Sequence, residues 1–132
     1  MTADNPGAPD AETLALAHAL FDAAREGNTA LLAGYLTAGA PAAMTNAAGD
    51  SLLMLAAYHG HADTVRLILA HGGDANTAND RGQTPLAGAV FKGYPEVVQV
   101  LVDAGADPDA GTPSARAAAQ MFERQDLLVL LG

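Results

Sequence analysis

Apolar residues in this chain gather in short runs set at regular intervals. Val65, Leu67, Ile68 and Leu69 make one run, and Val97, Val98, Val100, Leu101 and Val102 the next. Runs this short are ambiguous between strand and helix, since β-branched residues favour strands. The flanking glycines decide for helix. Gly60 and Gly93 precede the runs and Gly72 and Gly105 follow them, where a permissive backbone ends a helix in a left-handed turn. Upstream, Ser51 and Thr84 can cap a helix, and Pro85 suits the first helical position, where a missing N–H costs nothing. The pattern predicts helix pairs near 12–25 and 29–37, 51–59 and 62–70, 84–91 and 95–103, and 113–122 and 125–131, with Leu53 and Leu86 interior and no regular sheet.

The interval is fixed. Gly49, Leu53, Ala56, Gly60, Val65, Gly72 and Asp74 recur 33 residues later as Gly82, Leu86, Ala89, Gly93, Val98, Gly105 and Asp107. Going backward, Gly27 precedes Gly60, Leu36 precedes Leu69 and Gly39 precedes Gly72 by the same 33. Such a period implies a stack of small units, none able to bury its apolar face alone. Past Asp107 the register shifts: Pro85 pairs with Pro113 at a spacing of 28, and Val97 with Leu127 at 30. The expectation is a last unit that has lost most of its connecting loop and regained two residues at its first helix. Met44 to Gly49 and Asp74 to Gly82 are expected to project as hairpin-like loops, because Asn, Asp and Gly favour turns.

The unit from Gly82 to Ala110 contains Thr84-Pro85-Leu86, Ala89, Gly93, Val97-Val98, Leu101-Val102 and Ala104-Gly105-Ala106-Asp107, and it resembles an ankyrin repeat. Gly49 to Asn76 repeats it more loosely. The resemblance covers roughly Leu14 to Leu131. It implies an all-α solenoid of about four helix-turn-helix units with hairpin-like loops, near 12–45, 46–78, 79–110 and 111–132. Residues 1–11, with Pro, Gly and Asp and no periodicity, are expected to be a disordered tail. One departure matters: the His that usually follows Thr-Pro-Leu is Met54 in one unit and Ala87 in the next. Its hydrogen bonds between repeats are expected to be replaced elsewhere.

Composition narrows the function. A chain of 132 residues that is 50% hydrophobic is ample for one core, much of it alanine, a composition that suits a bacterial protein. With no cysteine, disulfide frameworks and thiolate metal sites are excluded. The first residues lack the basic and apolar regions of a secretory signal, and no run reaches membrane-spanning length, so a cytoplasmic location is expected. The net charge is −9, and the six basic side chains, Arg25, Arg66, Arg81, Lys92, Arg116 and Arg124, are scattered singly. That argues against nucleic acid as a partner. It favours a protein partner with a basic surface, or serves solubility alone.

Candidate chemistry is sparse. His59 and His61 flank Gly60, with Asp63 and His71 nearby, but the spacing does not set two ligands on one helical face, and no metal is expected. Ser51 stands where a cap belongs, so a nucleophile there is disfavoured. Gly72-Gly73 lacks the Lys and Ser/Thr of a phosphate loop, while Asp107 and Asp109 read as turn formers. No cofactor and no catalysis are expected. Two alternatives remain: a structural subunit of a larger assembly, or a small metal-binding protein or enzyme built on the histidines.

The resemblance implies a non-catalytic adaptor, scaffold or inhibitor, monomeric by itself, that binds a partner protein through a concave face. Carried over by position, the loop tips are Ala47, Ala48 and Asp50, then Asp80, Arg81 and Gln83. The helix positions are Arg25 and Glu26, Tyr58 and His59, and Phe91 and Lys92. Tyr58 and Phe91 are equivalent residues on adjacent units, which suggests a hot spot in a chain with 5% aromatic residues. The competing expectation is that each ring packs on its neighbouring repeat.

Overall fold

A computed structural model describes residues 11–132, in which eight helices follow one another: α1 (Ala11–Glu26), α2 (Thr29–Thr37), α3 (Leu52–Tyr58), α4 (Ala62–Ala70), α5 (Pro85–Lys92), α6 (Pro95–Asp103), α7 (Ala115–Met121) and α8 (Gln125–Leu131). Every boundary falls within two residues of its expected position. The expected tail lies outside the described residues except for Ala11, which opens α1. Each odd-numbered helix packs on the even one after it. In addition α1, α3, α5 and α7 pack in series, as do α2, α4, α6 and α8. The result is a two-layer stack of helix pairs. Among the described residues there is no regular strand, only the isolated bridges Thr45 to Ser51 and Gly111 to Ser114. None of the helices is long and apolar enough to cross a membrane.

The helices start and stop where the chemistry directs. The Ser51 Oγ accepts the Met54 N–H at 3.0 Å, and the Thr84 Oγ1 accepts the Ala87 N–H at 3.1 Å. Ser114 does the same for Ala117 at 3.0 Å, and the Asn28 Oδ1 accepts the Leu31 N–H at 3.2 Å. Gly93 closes α5 with φ at 77°, in the left-handed region that disfavours a Cβ.

The last unit corrects one expectation. Pro113 does not pair with Pro85, and α7 gains no residues. Ser114 stands in for Thr84, Glu123 for Gly93 and Leu127 for Val97, a constant offset of 30. Arg124 donates its N–H to the Ala119 oxygen just as Tyr94 does to that of Ala89. The deletion lies wholly in the hairpin: Thr45 and Gly111 are two full periods apart, yet Thr45 bridges to a residue six positions on and Gly111 to one three positions on.

Packing between units runs along columns. Thr64, Val97 and Leu127 are equivalent, as are Ile68, Leu101 and Leu131, and all six are buried. Their counterparts in the first unit, Leu31 and Tyr35, are each 38% exposed. These positions face the preceding unit, and for α2 the described residues contain none.

Candidate functional site

Two hairpins carry the expected loop tips, and each is built around one asparagine. The Asn46 Oδ1 accepts the N–H groups of Ala48 and Asp50, both at 3.0 Å. The Asn79 Oδ1 accepts those of Arg81 and Gln83, again at 3.0 Å. The two asparagines are 33 residues apart. The echo is present in the sequence, but an asparagine in a loop is indistinguishable there from an ordinary turn former.

Asn79 also joins the hairpins. It is buried, and its Nδ2 donates to the Asp50 Oδ1 at 2.8 Å and to the Gln83 Oε1 at 2.9 Å. Both donors and both lone pairs of the amide are therefore used. The Asp80 N–H donates to the Ala48 oxygen at 3.1 Å, a second link between neighbouring loops. Asp50 and Gln83 are thus engaged in holding the loops together, whereas Ala47, Ala48, Asp80 and Arg81 stay exposed at the tips.

Further hydrogen bonds join neighbouring units. The Asn76 Nδ2 donates to the Gly105 oxygen at 3.2 Å, and its Oδ1 accepts the Asp107 N–H at 2.7 Å. The Thr29 and Thr64 hydroxyls lie 2.8 Å apart, and the His61 Nε2 is 2.7 Å from the Arg25 oxygen. His61 also stacks so closely on Gly27 that a Cβ there would sit 2.5 Å from its Nδ1. This ring is committed to joining two units. Among the described residues no group of three or more His, Cys, Asp or Glu is placed to hold a metal ion.

The odd-numbered helices carry the remaining candidates. Arg25, Tyr58, Phe91 and Met121 form one column; Glu26, His59, Lys92 and Phe122 form the next. Tyr58 is half-buried because Gly88, in the following unit, leaves room for its ring: a Cβ on Gly88 would lie 3.1 Å from the Tyr58 Cδ1. The Lys92 Nζ sits 5.2 Å from the Tyr58 ring centroid, within cation–π range. Phe91 is 56% exposed and meets Phe122 edge to face, with centroids 5.4 Å apart. Each ring leans on the unit that follows it, so inter-repeat packing and exposure coexist at both positions.

Between these rings lies an apolar hollow of about 180 Å³, floored by Met54, Ala87 and Gly88 and closed by Pro113 and Ala118. Small-molecule sites start near about 300 Å³, so this one suits a single side chain. Beside it, sharing Met54, Tyr58 and Gln83, is a polar hollow of about 270 Å³ lined also by Asp50, His59 and Arg81.

Charge is sorted over the molecule. Arg25 pairs with Asp22 at 2.8 Å, Arg66 with Asp63 at 2.7 Å, Arg116 with Asp109 at 2.8 Å and Arg124 with Asp126 at 2.9 Å. Among the described residues Arg81 and Lys92 are in no ion pair, and both belong to this face. The pKa of His59 is lowered from the usual histidine value, first by partial loss of solvent and then by electrostatic interaction with His61, Arg25 and Lys92.

Comparison with known proteins gives two findings. A family model described as ankyrin repeats in three copies matches residues 20–112. A protein of Pseudomonas aeruginosa, named as an ankyrin repeat protein, is 59% identical over 58 residues, which are 44% of this chain and 34% of that relative. The match thus spans about a third of the relative's length.

Proposed function

The chain belongs to the ankyrin repeat family, whose members are generally protein–protein interaction modules, and on that footing we propose that it is a non-catalytic adaptor or inhibitor that holds a partner protein on the face carrying Phe91. The exposure of Phe91 carries the reading. A phenyl ring left 56% open beside an unfilled apolar hollow is the kind of anchor point around which interface energy concentrates. Tyr58, His59 and Lys92 extend the surface on the helices, with Arg25 and Glu26 at its first-unit end. Ala47, Ala48, Asp80 and Arg81 extend it on the hairpins, where Asp50 and Gln83 brace them. A cytoplasmic monomer is the simplest carrier of this role.

The test compares variants of the whole chain in capture from an extract of the source organism. Phe91→Ala is expected to lower retention of the partner about tenfold or more, the usual cost of truncating a hot spot. Arg66→Ala, on α4, is expected to leave retention unchanged. Equal retention by both variants would move the partner to another surface.

A further inference from the structure

We propose that the occupant of this face is an acidic peptide segment of the partner bearing one large apolar side chain, which enters the hollow between Tyr58 and Phe91 while neighbouring carboxylates meet Arg81 and Lys92. This rests on the reading above that the Phe91 face is the binding face, and it names the chemistry recognised there.

Charge complementarity carries it. Among the described residues four of the six basic side chains are ion-paired, and Arg81 and Lys92, which are in no ion pair there, flank this surface. The Lys92 ammonium lies over the ring of Tyr58, which lines the apolar hollow. Arg81 lines the adjoining polar hollow with His59. Asp50 lines it too; its carboxylate keeps its charge, with Oδ1 tied to the Asn79 amide of the hairpin link. Asp80 donates its backbone N–H to the Ala48 oxygen, and among the described residues its carboxylate is in no ion pair with Arg81.

The overall charge of −9 opposes an acidic ligand only at long range. At physiological salt, exposed charges more than about 8 Å apart are largely screened, whereas contacting pairs are screened less. Close groups therefore choose the ligand. A carboxylate on a guanidinium or ammonium makes a charge-assisted hydrogen bond, roughly twice as strong as a neutral one. The two hollows adjoin along Tyr58 and Gln83, so one extended segment reaches both.

The experiment selects short random peptides displayed on phage against the full chain. Enriched peptides are expected to carry Asp or Glu within a few residues of an aromatic or large aliphatic residue. A synthetic copy of an enriched peptide is expected to bind about tenfold or more weakly to Lys92→Glu and to Arg81→Glu. Arg66→Glu alters net charge equally but lies on α4, and it is expected to change binding less than about twofold. Thermal melts of the three variants check that folding is intact; both Arg81 and Lys92 are exposed. Enrichment of basic or uncharged peptides overturns the inference, as does no enrichment, or an Arg66→Glu effect equal to that of Lys92→Glu. If basic peptides are selected and Phe91→Ala abolishes their binding, the face stands and only its chemistry is wrong. Should Phe91→Ala leave the selected peptides bound, both readings fall.

Discussion

Single residues show where this sequence follows the logic of its repeat and where it departs from it. Glu123 takes the place of Gly93 and keeps its left-handed backbone, with φ at 55°. A side chain in that region costs roughly 1–2 kcal/mol relative to glycine. Glu123→Gly is expected to stabilise the fold by about 1 kcal/mol, read as a higher urea midpoint; an unchanged midpoint would mean that the turn relaxes at no cost. Asn79 predicts the opposite sign. Asn79→Ala leaves the Arg81 and Gln83 N–H groups without their acceptor and unties Asp50, so a loss of about 2–3 kcal/mol is expected in the same titration. His59 adds a pH dependence. Its folded pKa lies below the unfolded one, so the unfolded chain takes up the proton more readily, and stability declines as pH falls below about 6.5. His59→Gln should flatten that part of a melting-temperature profile between about pH 7.5 and 5, and an identical slope in both proteins would assign it to other groups.

At the scale of elements, the sequence made the helices legible because their ends are written in small residues. Ser51, Thr84, Gly60 and Gly93 each mark a terminus chemically, and eight helices fell within two residues of expectation. The last unit was misread for a physical reason. Proline is favoured at a first helical position, so Pro113 drew the helix start toward itself, yet Ser114 caps as well as Thr84 and leaves the proline outside. The candidate site was legible in part. Equivalence of Tyr58 and Phe91 follows from the period, but whether a ring lies down or stands out depends on what the next unit offers. Gly88 offers a gap and Phe122 an edge, and neither is visible one repeat away in sequence. The same dependence on neighbours predicts unequal costs in one column. Leu101→Ala, buried against the preceding unit, should cost about 2–5 kcal/mol, whereas Tyr35→Ala, its uncovered counterpart, should cost about 1 kcal/mol or less. Equal losses in denaturant titrations would show that α2 has a covering partner.

For the whole molecule, composition and structure point to different partners, and the difference can be measured. A charge of −9 spread over the surface draws a basic protein from a distance, and nothing in the sequence shows that the cations gather on one face. Position in the stack does that, by pairing Arg25, Arg66, Arg116 and Arg124 locally and leaving Arg81 and Lys92 at the Phe91 face. Salt separates the two cases through rates. A basic partner steered by the overall field should associate more slowly as ionic strength rises from about 0.05 to 0.5 M, because the Debye length shrinks from over ~10 Å to a few Å. With an acidic segment the long-range term is repulsive, so screening leaves association constant or faster. Its close ion pairs weaken over the same range, and dissociation accelerates. Stopped-flow measurement of both rates for the captured partner reads the two signs independently. Association that slows with salt while dissociation stays constant would return the net charge to the role of attractant and remove Arg81 and Lys92 from recognition.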